Sequence, residues 1–181
     1  MTKIAENSRS RPFPILRSER FFGAIEMGIP ESWLSGPDAS GSWVCWEETE
    51  TEESFWVSFD LFESVQPTSA LAMQNEAERM ARNFIADYVP DDVRHKTKAC
   101  FTPVDDGYIQ RLTVAGVEDR FAVRIYGWHY FRAFPSHLAI VHFSLVIPEE
   151  IADRPDMVDL AEAMDKAVAE ARIDATICDI H

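Results

Sequence analysis

Between Phe121 and Ile147 the chain reads FAVRIYGWHYFRAFPSHLAIVHFSLVI, two arms dense in Val, Ile, Phe, Tyr and Trp on either side of Phe134-Pro135-Ser136-His137. Apolar runs of this composition, separated by the turn-formers Pro and Ser, predict a long antiparallel hairpin. A four-residue connection sets a register in which Phe131 faces Ile140, His129 faces His142 and Ile125 faces Val146. On the other side Tyr126 faces Leu145 and Trp128 faces Phe143. Both faces are apolar, so both must be covered, which places the hairpin centrally in a sheet packed by helices or by another sheet.

The remaining elements follow from the same periodicities. Phe21, Gly23, Ile25, Met27 and Ile29 alternate onto one face and predict a first strand that stops at Pro30, where Ile29-Pro30-Glu31-Ser32-Trp33 turns the chain. Residues 35–42, SGPDASGS, are turn chemistry. Ser42–Glu47 and Phe55–Phe62 read as aromatic-rich strands around Glu47–Glu53, whose five acids in seven residues predict a solvated hairpin tip. From Ser69 to Val89 the residues Met73, Ala77, Met80, Ala81, Phe84, Ile85 and Tyr88 recur at helical spacing, with Thr68 or Ser69 as cap and Pro90 as stop. Lys96–Pro103 and Tyr108–Val117 are two further strands joined at Asp105-Asp106-Gly107, completing a meander. A last helix enters through Pro155 and carries the stripe Met157, Leu160, Ala161, Met164, Ala167, Val168 and Ala171. Asp156, Asp159 and Glu162 suit its positive end, and Thr176–Ile180 reads as a short edge strand.

The pattern is therefore α+β, an antiparallel meander flanked by two amphipathic helices. At 181 residues the chain suits one domain. Charge divides it further: residues 1–20 carry five Lys/Arg against two acids, whereas the whole chain is at −14. This predicts a basic N-terminal arm over 1–20 and a single α+β domain over 21–181. So acidic a body argues against nucleic acid as a partner, since phosphates would meet repulsion over most of the surface. No run of about eighteen apolar residues predicts a membrane span. Cys45, Cys100 and Cys178 are scattered without C-x-x-C spacing, and the N-terminus lacks a continuous apolar stretch. A reducing, cytoplasmic setting follows as the expectation.

Candidate chemistry is sparse. The sequence has no G-x-S-x-G elbow, P-loop, G-x-G-x-x-G or H-E-x-x-H, so no catalytic residue, cofactor or metal is predicted. Cys45, between Trp43 and Trp46, reads as a small hydrophobe, and Cys100 has only His95 nearby in sequence. The predicted register sets His129 opposite His142, with Gly127 and Ser144 beside them leaving space for a small guest. These two histidines are the candidate ligand-binding residues, in a pocket of START-like character; a hydrogen-bonded structural pair is the alternative. The stronger candidate is a partner-binding surface made of Trp43, Trp46 and Trp56 together with Glu47, Glu48, Glu50, Glu52 and Glu53, suited to a basic or hydrophobic protein segment.

In order, the chain presents a strand, the Ile29-Pro30-x-x-Trp33 turn, an acidic hairpin, an amphipathic helix, a meander ending in AIVHFSLVIPEE, and a closing helix entered through RPDM. Over roughly Phe21 to Ile173 this order resembles the PsbP-like superfamily, with Ser32 where the family usually has Gly before the Trp. The resemblance implies an antiparallel sheet sandwiched between helices. It also implies a non-enzymatic binding or adaptor protein, since the superfamily includes a Ran-binding import factor, photosystem II extrinsic subunits and bacterial adaptor chaperones for type VI secretion effectors. An immunity-type inhibitor that uses its negative surface against a basic site is a further reading.

Overall fold

The computed structural model describes residues 14–47, 53–63, 69–88, 99–118 and 121–180. The predicted hairpin is its centre: β8 (Phe121–Ala133) and β9 (His137–Pro148) pair in the expected register, including Phe131 with Ile140, His129 with His142 and Trp128 with Phe143. They are the middle of a seven-stranded antiparallel sheet in the order β3-β4-β5-β9-β8-β7-β6. Its other strands are β3 (Trp33–Pro37), β4 (Trp43–Glu47), β5 (Ser54–Glu63), β6 (Ala99–Val104) and β7 (Gly107–Glu118). Strands β6 to β9 are the predicted meander, and β5 joins its far edge by pairing with β9.

Each face of this sheet has its own cover. Helix α1 (Ala70–Tyr88) starts where Ser69 Oγ accepts from the Ala72 N–H at 3.2 Å. Its Met73, Ala77 and Met80 cluster with Phe131, Leu138 and Ile140 on one face. Helix α2 (Pro155–Ala169) lies on the opposite face and buries Met157, Leu160, Met164 and Val168. There it shares a core with Phe55, Val57, Trp128, Tyr130, Phe143 and Leu145. The Trp128 indole N–H and the Arg111 Nε–H both donate to Asp165 Oδ1, at 2.7 and 2.6 Å, and tie α2 to the sheet. The result is an α/β/α arrangement.

Three local expectations need correction. Residues 35–37, read as turn, are the end of β3 and pair with Cys45, Val44 and Trp43 of β4, which leaves only 38–42 to turn the chain. The stretch from Phe21 to Ile29 is not one strand but the turn and second arm of a hairpin, β1 (Leu16–Phe21) with β2 (Ile25–Pro30). The chain reverses through Phe22 and Gly23, both in the left-handed region at φ +53° and +69°. Phe21 and Ile25 face each other across that turn and are both fully buried, so apolar alternation survives the reversal and mimics a continuous strand. At the other end, Thr176–Ile180 is not an edge strand. Arg172–Ile173 (β10) pairs with β2 instead, and Ala175–Asp179 forms a 3-10 helix whose Thr176 N–H is capped by Asp174 Oδ1 at 3.2 Å. Strands β1, β2 and β10 form a small second sheet that packs on the α2 side.

Candidate functional site

The three tryptophans lie on adjacent strands but do not share a face. Trp43 points to the α2 side, where its ring meets Phe21 and Phe22 edge-on with centroids 6.1 and 5.8 Å apart. Trp46 and Trp56 point to the α1 side, because Trp46 is three residues from Trp43 and Trp56 is one residue from Val57, the cross-strand partner of Trp43 on its own face. Helix α1 lies over the far half of this face, and β3, β4 and β5 present the near half. There Leu34 and Trp46, paired across β3 and β4, are 43% and 37% exposed. Trp56 is half-buried and donates its indole N–H to Ser54 Oγ at 2.9 Å. Sequence reading alone missed Leu34, whose place beside Trp46 depends on the β3–β4 register.

Of the predicted acids, Glu48, Glu50 and Glu52 lie outside the described residues, so only Glu47 and Glu53 can be placed. Glu53 corrects the picture of a wholly solvated tip: it is 3% exposed, and its Oε2 has no hydrogen-bond partner among the described residues. The backbone reason is its position just before β5, on the α2 side of the sheet, where α2 closes over it. Glu47 and Glu53 line a cavity of about 180 Å³ together with Pro14, Pro30, Trp33, Asp156, Asp159 and Leu160. Asp156 and Asp159 satisfy the helix dipole, which is reason enough for them in sequence; only the packing of α2 onto this face of the fold brings them to the cavity that Glu53 lines.

The histidine pair is present and organised. The rings of His129 and His142 stand edge-on with centroids 5.1 Å apart. His129 is 5% exposed, and its Nδ1 lies 2.8 Å from Oε1 of buried Gln110, whose Nε2 donates to the Ala77 carbonyl of α1 at 2.6 Å. With the amide set this way, Nδ1 carries the imidazole proton and donates it. Burial, and secondarily the charge His142 would carry, lower the His129 pKa to about 3. His142 reaches Asp60 through Nε2 at 3.1 Å, and burial lowers its pKa despite that carboxylate. The space expected beside Gly127 is already filled: a Cβ there would lie 3.3 Å from Phe84 Cζ and 3.4 Å from Leu112. The environment is that of a neutral, hydrogen-bonded core histidine.

Thiol and metal chemistry find no better footing. Cys45 is fully buried, and burial, followed by the charge of Glu19, pushes its thiol up to about 12, far from a reactive thiolate. Among the described residues no three or more His, Cys, Asp or Glu side chains are grouped to hold a metal ion, and no helix is long and apolar enough to cross a membrane.

No protein-family model matches the sequence, and no curated protein matches it. Solved structures do match its fold. The Ran-binding protein Mog1p of Saccharomyces cerevisiae superposes with a TM-score of 0.53 at 13% identity, over 91% of this chain and 98% of its own. LpqN of Mycobacterium tuberculosis, described as involved in cell envelope biogenesis, gives 0.57 at 10% identity, over 92% of this chain and 87% of its own. A protein from Bacteroides thetaiotaomicron gives 0.52 at 13% identity over 83% of this chain, which spans only 45% of that protein's length. The chain thus shares the fold of Mog1p and LpqN, an antiparallel sheet between helices.

Proposed function

We propose that this chain is a non-enzymatic binding or adaptor protein of the cytoplasm that holds a protein segment of basic and apolar character against the open half of its sheet. The observation that carries this reading is the arrangement of Leu34, Trp46 and Trp56 on one face of β3, β4 and β5, two of them large, exposed apolar side chains in cross-strand contact. Neighbouring exposed apolar side chains at a sheet surface are a feature of interaction sites, and aromatic anchors carry much of the energy in such contacts. The net charge of −14 selects for a basic segment and against nucleic acid. Three free cysteines suit a reducing compartment. That a yeast protein of this architecture is named for binding Ran supports a protein as the partner class.

The test compares partner capture by the wild-type chain and by a Leu34→Ser/Trp46→Ala variant shown by circular dichroism to be folded. A specific protein retained by the first at low and moderate salt and lost from the second is the expected result. Equal capture by both, or no specific protein under either condition, refutes the proposal.

A further inference from the structure

Oε2 of the buried Glu53 carboxylate lacks a hydrogen-bond partner among the described residues. A carboxylate oxygen removed from water without a hydrogen bond is costly, and such groups are scarce in folded proteins. Here Oε2 of Glu53 is buried and unbonded, on a residue 3% exposed, in the wall of a cavity that also receives Glu47, Asp156 and Asp159. Arg154 is the nearby cation among the described residues; its guanidinium is bonded to Asp156 at 2.5 and 3.1 Å, and Glu53 acts on it only through space. Among the described residues, four carboxylates and one arginine surround the cavity, an excess of negative charge. Apart from Ser32, its remaining walls are apolar, with Trp33, Pro30, Met157 and Leu160 among them. A cavity of about 180 Å³ has room for a side-chain head group as well as for water.

We propose that this cavity is a recognition site for a single arginine side chain, with Glu53 as the buried acceptor and Trp33 and Leu160 as walls for the apolar stem. The chemistry selects arginine over the other cations. A guanidinium is planar, offers five N–H donors to carboxylates that lie around it on different elements, and is weakly hydrated, so it enters an apolar-walled cavity at lower cost than an ammonium. Its flat face also suits an indole wall. The acids are not grouped to hold a metal ion among the described residues. Two sources supply the same chemistry. One is a partner protein; the other is this chain itself, since Arg9 and Arg11 stand a few residues before Pro14, which lines the cavity. The inference refines the proposed binding role by naming one recognised side chain, yet it stands on the opposite side of the sheet from Trp46.

The test is a titration of the full chain with N-acetyl-arginine methylamide and, separately, with its neutral citrulline counterpart, followed by NMR at the Trp33 indole N–H and the Glu53 and Asp159 amides. The same titrations are run on an Arg9→Ala/Arg11→Ala variant. Saturable shifts with the arginine compound alone are expected. Shifts already present in wild type identify an external arginine as the guest; shifts that appear only in the arm variant show that the chain's own arginine fills the site. Glu53→Gln and, independently, Asp159→Asn should each weaken the response about tenfold, as expected for loss of a charged hydrogen-bond partner. Trp46→Ala should leave it unchanged, which separates this site from the open sheet face. No saturable shift in either protein, or equal shifts with citrulline, overturns the inference.

Discussion

Gln110 couples His129 to helix α1: its Oε1 accepts from the imidazole at 2.8 Å while its Nε2 donates to the Ala77 carbonyl at 2.6 Å. The central hairpin and the helix above it are therefore joined by one buried polar chain through β7. Replacing Gln110 with Leu leaves the His129 N–H unsatisfied and should cost about 1–3 kcal/mol. A urea denaturation curve with a lower midpoint and an unchanged slope is the expected reading.

The same histidine makes stability depend on pH. Its folded pKa of about 3 lies below the value of 6.5 for a free imidazole, so between these limits the unfolded chain binds the extra proton. Stability from this group is complete above about pH 6.5 and declines as the pH falls toward 3; His142, also lowered, adds in the same direction. Between about pH 7 and pH 4.5 the loss from His129 should be on the order of 2 kcal/mol. Its imidazole proton shifts should stay flat over that range while the urea midpoint drops. A midpoint independent of pH there contradicts the assignment.

Three glycines should rank by what surrounds them. A Cβ on Gly107 would come within 2.1 Å of the Phe131 carbonyl oxygen, a backbone atom that cannot move without breaking the β7–β8 pairing. Gly107→Ala is expected to cost upwards of about 3 kcal/mol or prevent folding. Gly127→Ala, against the Phe84 ring at 3.3 Å, should cost about 1 kcal/mol. Gly36→Ala, with its nearest neighbour Trp46 at 3.9 Å, should fall within about 1 kcal/mol of wild type. Thermal denaturation of the three variants gives the order directly.

The tryptophans should separate stability from binding. Trp43 packs edge-on against Phe21 and Phe22, so Trp43→Ala is expected to lose roughly 3 kcal/mol. Trp46→Ala, at an exposed position, should change stability by less than about 1 kcal/mol while reducing partner capture. Parallel urea titrations and capture assays would expose the reverse pattern if the faces were misassigned in function.

Asp165 is the clamp on α2. Asp165→Ala removes the acceptor of both Trp128 and Arg111 and should cost about 1–3 kcal/mol, with a shift in tryptophan emission as the Trp128 indole loses its bond. Arg111 keeps its bond to Thr102 Oγ1 at 2.6 Å, so the helix rather than the sheet edge should loosen, as amide exchange in α2 would report.

What the chain determined by itself is the local pattern and the pairing that follows from it. Two apolar arms around Pro135 dictate a hairpin, and its four-residue connection sets the register that brings His129 to His142, because a slip by one residue would reverse every side chain. Helical spacing likewise marked the buried stripes of both helices, and the fold class followed from the order of elements. Three things depended on the assembled molecule. The turn at Phe22 was hidden because the residues on either side of it are equally apolar. The sorting of Trp43 from Trp46 and Trp56 depended on which layer each strand face meets. Glu53, written in a run of acids that reads as solvated, is buried in the assembled fold, where it shares a cavity with Trp33, Asp156 and Asp159, groups distant in sequence. Periodicity encodes which side chains share a face; what lies against that face is decided by packing between elements, and binding sites are made there.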